Sequence, residues 1–231
     1  MVNIFSLYDD RKKEIEFYYS IMIDIEKNNG NIKTVDNARF LRILKSNFLL
    51  MLYNLVEACV ISGMMEIYEK LKNNGYNYND LIDEIRILWS NRRIGQLYAS
   101  AGGRAAYENA VQEIINQVLT NQPILLDRQA LPVGGNLDAK MIKELCDKHR
   151  IRYVASDNDG CLRTVKTKRN NLAHGDESFG DCARDMTLND LEHIKDEVLR
   201  FIKGILDGMK DYYDNQQYLI NPVNKKGRKK K

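Results

Sequence analysis

Arg169 and His174 are the two residues of this chain whose types and spacing best suit a chemical task, in the run Arg169-Asn170-Asn171-Leu172-Ala173-His174-Gly175. Arg163, Lys166 and Lys168 stand just upstream. An imidazole gives and takes protons near neutral pH. A guanidinium offers a fixed fork of donors to a phosphate whose charge grows during attack. The carbonyl end of a helix carries partial negative charge, which favours imidazolium but repels phosphate, so a cluster of cations is needed to hold an RNA backbone there. Asn170 precedes His174 by four residues, on the same helical face, within reach of the imidazole or the sugar-phosphate. The chemistry that fits is RNA cleavage. The substrate 2′-hydroxyl attacks, His174 moves the protons, Arg169 clamps the phosphate, and a 2′,3′-cyclic phosphate remains. Spacing alone does not make a site, since residues five apart lie about 140° apart on a helix. An isolated pair of this kind reads as a surface arginine and a capping histidine. Asn170, the Ala-His-Gly ending and the basic run favour a site. Cleavage needs the intact pair, whereas binding needs only the cations. A non-catalytic helical module that binds RNA or a protein is therefore the alternative.

The elements that must position these residues are helical. A first helix is expected from about Leu7 to Asn28, with Ile15, Tyr18, Met22 and Ile25 on one face. A second should start near Asp36, run to Lys72 and be buried, because Phe48–Tyr53, Leu55 and Val56 make it apolar nearly all round. A third follows Asn79-Asp80 with Leu81, Ile85 and Trp89, and a fourth follows Gly102-Gly103 with Tyr107, Val111 and Ile114. Residues 121–137 are irregular, with short strands or an extended crossing at Pro123–Leu126 and Leu131–Val133 and a turn at Gly134-Gly135. A short helix fits Asp138 to His149. Asp157–Gly160 is a loop leading into the helix that carries Leu162, Val165 and Leu172 inward and stops at Gly175. Thr187 caps a last helix whose Leu191, Ile194, Val198, Phe201, Ile205 and Met209 form one apolar stripe. The fold class is an all-α bundle over residues 1–220, with an irregular insertion in the middle and a disordered basic tail at 221–231.

Composition narrows the rest. The 231 residues are 44% hydrophobic and 29% charged, the mix of a soluble globular chain. The net charge of +3 divides into +6 on residues 225–231 and 3 − 6 = −3 on the remainder, so RNA must be held by local clusters. The longest uninterrupted apolar run is six residues, Phe48 to Tyr53. A bilayer span needs ~20, so no membrane is expected, and with no leader sequence the expected location is cytoplasmic. The scattered Cys59, Cys146, Cys161 and Cys182 read as reduced thiols. Cys146 and His149 have metal-ligand spacing but no second pair, so no metal and no cofactor are expected. His193 reads as a surface residue, and Gly102-Gly103 as a turn, not a phosphate loop. The tail is read as an RNA-tethering arm or a solubilising end.

The segment 169–175 resembles the R-x(4–6)-H signature of HEPN domains, in the form R-N-x-x-A-H-G. The resemblance is to the bacterial MAE-type HEPN-like nucleases. It is loose over residues 5–215 and specific over 163–175. It implies a HEPN-like helical bundle and a metal-independent endoribonuclease, a toxin or defence effector with an antitoxin or defence partner protein. It also implies a homodimer in which two motifs meet. Catalysis would rest on Arg169, His174 and Asn170, with Arg163, Lys166 and Lys168 binding RNA. The family often sets a polar residue of the central helix beside the pair, which points to Glu57 with Asn54 as supporting residues; that both face solvent is the equal alternative. HEPN toxins controlled by nucleotide transfer carry a tyrosine two residues beyond the histidine. Asp176 stands there instead, so that mode of control is not supported.

Overall fold

A computed structural model describes residues 1–27, 36–99, 103–131, 136–154 and 160–222. Among these it contains seven α-helices: α1 (Val2–Lys27), α2 (Asn37–Asn73), α3 (Asp83–Ala99), α4 (Arg104–Leu119), α5 (Ala139–His149), α6 (Gly160–His174) and α7 (Leu188–Asp214). No strand forms among the described residues, only two isolated bridges, Asn77 with Pro123 and Leu81 with Leu219. The fold class is all-α. Pro123–Leu126 is therefore an extended crossing, not a strand. Its polar backbone finds one partner, Ile124 N–H donating to Tyr76 O at 2.9 Å. The Gly134-Gly135 turn, the 157–159 cap and the tail beyond 222 lie outside the described residues.

The chain divides into two compact units. The first comprises residues 1–60, 133–142 and 154–206. Its α1 buries Ile4, Tyr8, Ile15, Tyr19 and Met22, while Tyr18 and Ile25 are half-buried, so Ile15 and Met22 face the core as expected, Tyr19 takes the place of Tyr18, and the stripe starts earlier. Polar handles on that stripe are used. Tyr8 Oη donates to Leu199 O at 3.2 Å and Tyr19 Oη to Leu188 O at 3.0 Å, tying α1 to α7. Thr187 and Asp190 form a reciprocal cap: Thr187 N–H donates to Asp190 Oδ2 at 2.8 Å, and Asp190 N–H to Thr187 Oγ1 at 3.1 Å. The stripe from Leu191 to Ile205 is buried as its spacing requires. It is consumed by this chain's own core. Gly204 has a structural duty: an added Cβ would lie 2.0 Å from Val154 O.

The second unit comprises residues 61–132, 143–153 and 207–231. His149 is fully buried here, and it is not a metal ligand in waiting. Its Nδ1–H donates to Leu145 O at 2.7 Å, and its Nε2 accepts from Tyr68 Oη at 2.6 Å. Burial lowers its pKa to about 4, so the ring is neutral. Leu81 falls just before α3, in the bridge to Leu219, not on the helix. Helix α4 buries none of its residues and leaves Tyr107, Ile115 and Leu119 exposed.

One expectation needs correction. Helix α2 is long and apolar enough, by length and composition, to cross a membrane, with a mean hydropathy of 1.7 over its best window. Counting only uninterrupted apolar residues missed this, because Asn54, Glu57 and Ser62 break the run without making it hydrophilic. More than half of that window is buried inside the protein, as in the core helix of a helical bundle. The four cysteines are buried free thiols, and burial pushes Cys59 and Cys146 up to about 12, which leaves them inert.

Candidate functional site

Arg169 and His174 both belong to α6, whose buried Leu162 and Val165 fix its orientation in the first unit. The helix stops where the sequence says it must. Gly175 has φ +79°, the left-handed conformation that favours glycine, and Asp176 N–H closes back on Asn171 O at 2.8 Å. The segment that follows is strapped to α2. Ser46 Oγ donates to Phe179 O and the buried Lys45 Nζ donates to Met186 O, each at 2.7 Å. The end of α6 is thus held between two well-anchored pieces of chain.

Arg169 is half-buried, and its guanidinium carbon lies 4.7 Å from the centre of the Tyr53 ring. Its Nη1 donates to Asn170 Oδ1 at 3.0 Å. No carboxylate pairs with it among the described residues, so its charge is uncompensated. Tyr53 is itself fixed, since its hydroxyl accepts from the Leu137 N–H at 3.1 Å. Burial raises the Tyr53 pKa; the Leu137 bond opposes that, the Glu57 charge adds to it, and Arg169 and Lys166 oppose it. The polar group from the central helix that touches Arg169 is therefore Tyr53. Glu57 is half-buried and acts on the same ring through its charge, while Asn54 is exposed. His174 is exposed, and its side chain makes no hydrogen bond among the described residues. The arginine faces the protein and the histidine faces solvent, as their angular separation on a helix requires.

The flanking cations are not equivalent. Lys166 Nζ is 2.8 Å from Asp138 Oδ2, and Lys168 Nζ is 3.1 Å from Glu177 Oε2. Burial works to raise both carboxyl pKa values, but the Lys166 and Met141 N–H bonds hold Asp138 below the ordinary range. Bonds from Lys168, Cys182 and Asn171 do the same for Glu177. Two of the four cations are thus largely neutralised, leaving Arg163 and Arg169 to face an anion. Arg163 is exposed and lines a cavity of about 270 Å³ with Asp138, Ala139, Lys140 and Gly160. Sequence reasoning missed Tyr53, Asp138 and Glu177. Asp138 was visible only as the start of a short helix, because its lysine partner lies 28 residues away.

A family model for HEPN_MAE_28990-like HEPN matches residues 2–218 of the chain. The chain belongs to the HEPN superfamily, of the MAE type. This HEPN match covers seven helices with the Arg169–His174 segment inside it, and it carries a nuclease-type or related function at the level of the family. Neither the curated proteins nor the solved structures gave a match. Among the described residues no three His, Cys, Asp or Glu side chains come together as a metal-holding group.

Proposed function

We propose that this HEPN chain is a metal-independent endoribonuclease. The observation that carries the reading is the uncompensated Arg169, stacked on Tyr53 and braced by Asn170, on the same helix end as an exposed His174. A guanidinium held on an aromatic face, with no carboxylate to neutralise it, keeps its donors for a phosphate. In the reaction, an imidazole takes the 2′-hydroxyl proton as its oxygen bonds to phosphorus. The bond from phosphorus to the 5′-oxygen breaks, an imidazolium protonates that oxygen, and a 2′,3′-cyclic phosphate is left. Arg169 stabilises the charge that builds on the phosphoryl oxygens. Arg163 extends the contact along the backbone, and Lys166 and Lys168 join it when RNA competes with Asp138 and Glu177.

One removed proton and one delivered proton call for two imidazoles, and each chain supplies one His174. A homodimer with a two-fold axis brings the second copy's His174 to the same phosphate through a self-complementary surface. The exposed Ala173, His174 and Gly175, with half-buried Leu172, supply that contact, since the α7 stripe is already buried. On this reading the enzyme is a toxin or defence effector restrained by a partner protein, as the motif implies, and it acts in the cytoplasm. Incubation with total RNA in magnesium-free buffer tests the activity: fragments are expected. RNA that is bound but uncut would assign the chain to the non-catalytic modules instead. Mixing inactive His174→Ala with inactive Arg169→Ala subunits tests the dimer. Activity of the mixture differing from both parents is expected, and a monomer that cleaves at full rate would exclude it.

A further inference from the structure

The second unit contains a cavity of about 620 Å³, within the roughly 300–1,000 Å³ of ligand pockets. Three pieces of chain wall it: the start of α3, the segment after α5 that carries Arg150 and Arg152, and the segment after α7 that carries Leu219 and Ile220. The walls are held firmly. Ile82 N–H donates to Tyr218 O and Ile220 N–H to Asp80 O, both at 3.0 Å, which locks the first wall to the third. The second wall lies against α7 so closely that a Cβ on Gly208 would sit 2.1 Å from Arg152 O. It leaves α5 through a fixed turn, in which Arg150 takes φ +59° and Ile151 N–H donates to Cys146 O at 2.8 Å.

Some of the charges on these walls are spent and others are not. Arg86 gives its guanidinium to Tyr78 O, Asn79 O and Asp83. The carboxylate of half-buried Glu84 makes no hydrogen bond or ion pair among the described residues, and neither do the guanidiniums of exposed Arg150 and Arg152. Ile151 is buried between the two arginines, which anchors the wall while both of them line the cavity. Apolar surface completes the lining: Ile82 and Leu219 are buried, and Ile220 is exposed.

This lining suits an acidic peptide better than a phosphate. A phosphate is ordinarily received at the positive end of a helix, and here the first turn of α3 already carries Asp83 and Glu84. The two unspent arginines instead stand two residues apart along one wall, at most ~7 Å apart at Cα. An extended peptide repeats its side chains on one side every ~7 Å, so carboxylates two residues apart meet one guanidinium each. We propose that this cavity docks an extended acidic segment of a partner protein, independently of the ribonuclease reading. Its two carboxylates, two residues apart, pair with Arg150 and Arg152. Glu84 accepts a backbone N–H of the segment, and an apolar side chain beside the acids packs on Leu219 and Ile220. The basic run 225–231 has the same sign as the arginines, so it is not the occupant.

The test is fluorescence anisotropy of a short labelled, capped peptide of alternating glutamate and leucine, against its glutamine counterpart, titrated with the full chain at fixed ionic strength. Saturable binding of the glutamate peptide alone is expected. Arg150→Gln and Arg152→Gln, both at exposed positions, should each weaken it about ten-fold or more, as loss of a charged hydrogen-bonding partner does. His174→Ala, Arg169→Ala and deletion of residues 225–231 should leave the affinity as in the parent. No binding, equal binding of the glutamine peptide, unchanged affinity in both arginine variants, or loss in any of the last three would each overturn the assignment. Loss in those three would place the peptide at the cleavage site or on the tail. Displacement by inorganic phosphate as effective as that by unlabelled peptide would also overturn it, by making the cavity a phosphate site.

Discussion

Replacing Tyr53 with leucine removes the ring beneath Arg169 and keeps an apolar residue in α2. The guanidinium lies 4.7 Å from that ring, well within the ~6 Å reach of a cation–π contact. A partly desolvated contact of this kind contributes ~1–2 kcal/mol. If that energy positions Arg169 for the phosphate, its loss slows cleavage at subsaturating RNA by roughly five- to thirty-fold. The hydroxyl has a separate job. Without it the buried Leu137 N–H loses its 3.1 Å acceptor, a cost of ~1–3 kcal/mol in stability. Tyr53→Phe shares this second loss but keeps the ring. The phenylalanine variant should therefore be less stable and nearly as fast as the parent, and the leucine variant both less stable and slow. Single-turnover cleavage of a labelled oligonucleotide, run below each variant's unfolding midpoint, together with denaturant titration, separates the two effects. Leucine at full rate, or phenylalanine as slow as leucine, would refute the positioning role.

Burial of neutral His149 makes stability depend on pH with a definite sign. The unfolded ring titrates near ~6.5 and the folded one at about 4. Between those values only the unfolded chain takes up the proton, so stability falls on acidification, by about 3 kcal/mol in all. Denaturant titrations from neutral pH to about 4 should show this, and His149→Gln should flatten the curve; an unchanged slope would contradict the buried neutral ring. Gly204→Ala should destabilise by ~3 kcal/mol or more, because its Cβ meets backbone at 2.0 Å. Gly95→Ala in α3, with nothing within 4 Å, should stabilise by ~0.5–1 kcal/mol. Thermal unfolding that shifts both the same way would count against the packing described. Deleting residues 225–231 should weaken RNA binding and flatten its salt dependence by several units of slope, at ~0.7 per phosphate neutralised, without stopping cleavage. An unaltered slope would show that the tail does not touch RNA.

The helices were legible because their signals are local. The 3-4 spacing of Leu191 to Met209, the Thr187 cap and the Gly175 stop each specify one element from residues a few positions apart. The motif at 169–175 was legible for the same reason. The surroundings of that motif were not. Tyr53 reads as one more core residue in an apolar helix, and nothing near it in sequence says that its ring supports an arginine more than a hundred residues later. The basic run looked like four equal cations until Asp138 and Glu177 were seen to hold two of them. On α1 the core tyrosine is Tyr19 and not Tyr18, because both are plausible core residues and the Leu188 carbonyl accepts from Tyr19.

The most direct test of the ribonuclease reading compares the parent chain and His174→Ala on one RNA in excess EDTA, with product ends analysed. The account predicts that the parent cleaves without added metal and leaves 2′,3′-cyclic phosphates. It predicts that His174→Ala binds RNA with nearly unchanged affinity but turns over ~10²–10⁴-fold more slowly, the usual contribution of a general acid–base group. Undiminished turnover in His174→Ala, or activity that vanishes with EDTA and returns with magnesium, would contradict it.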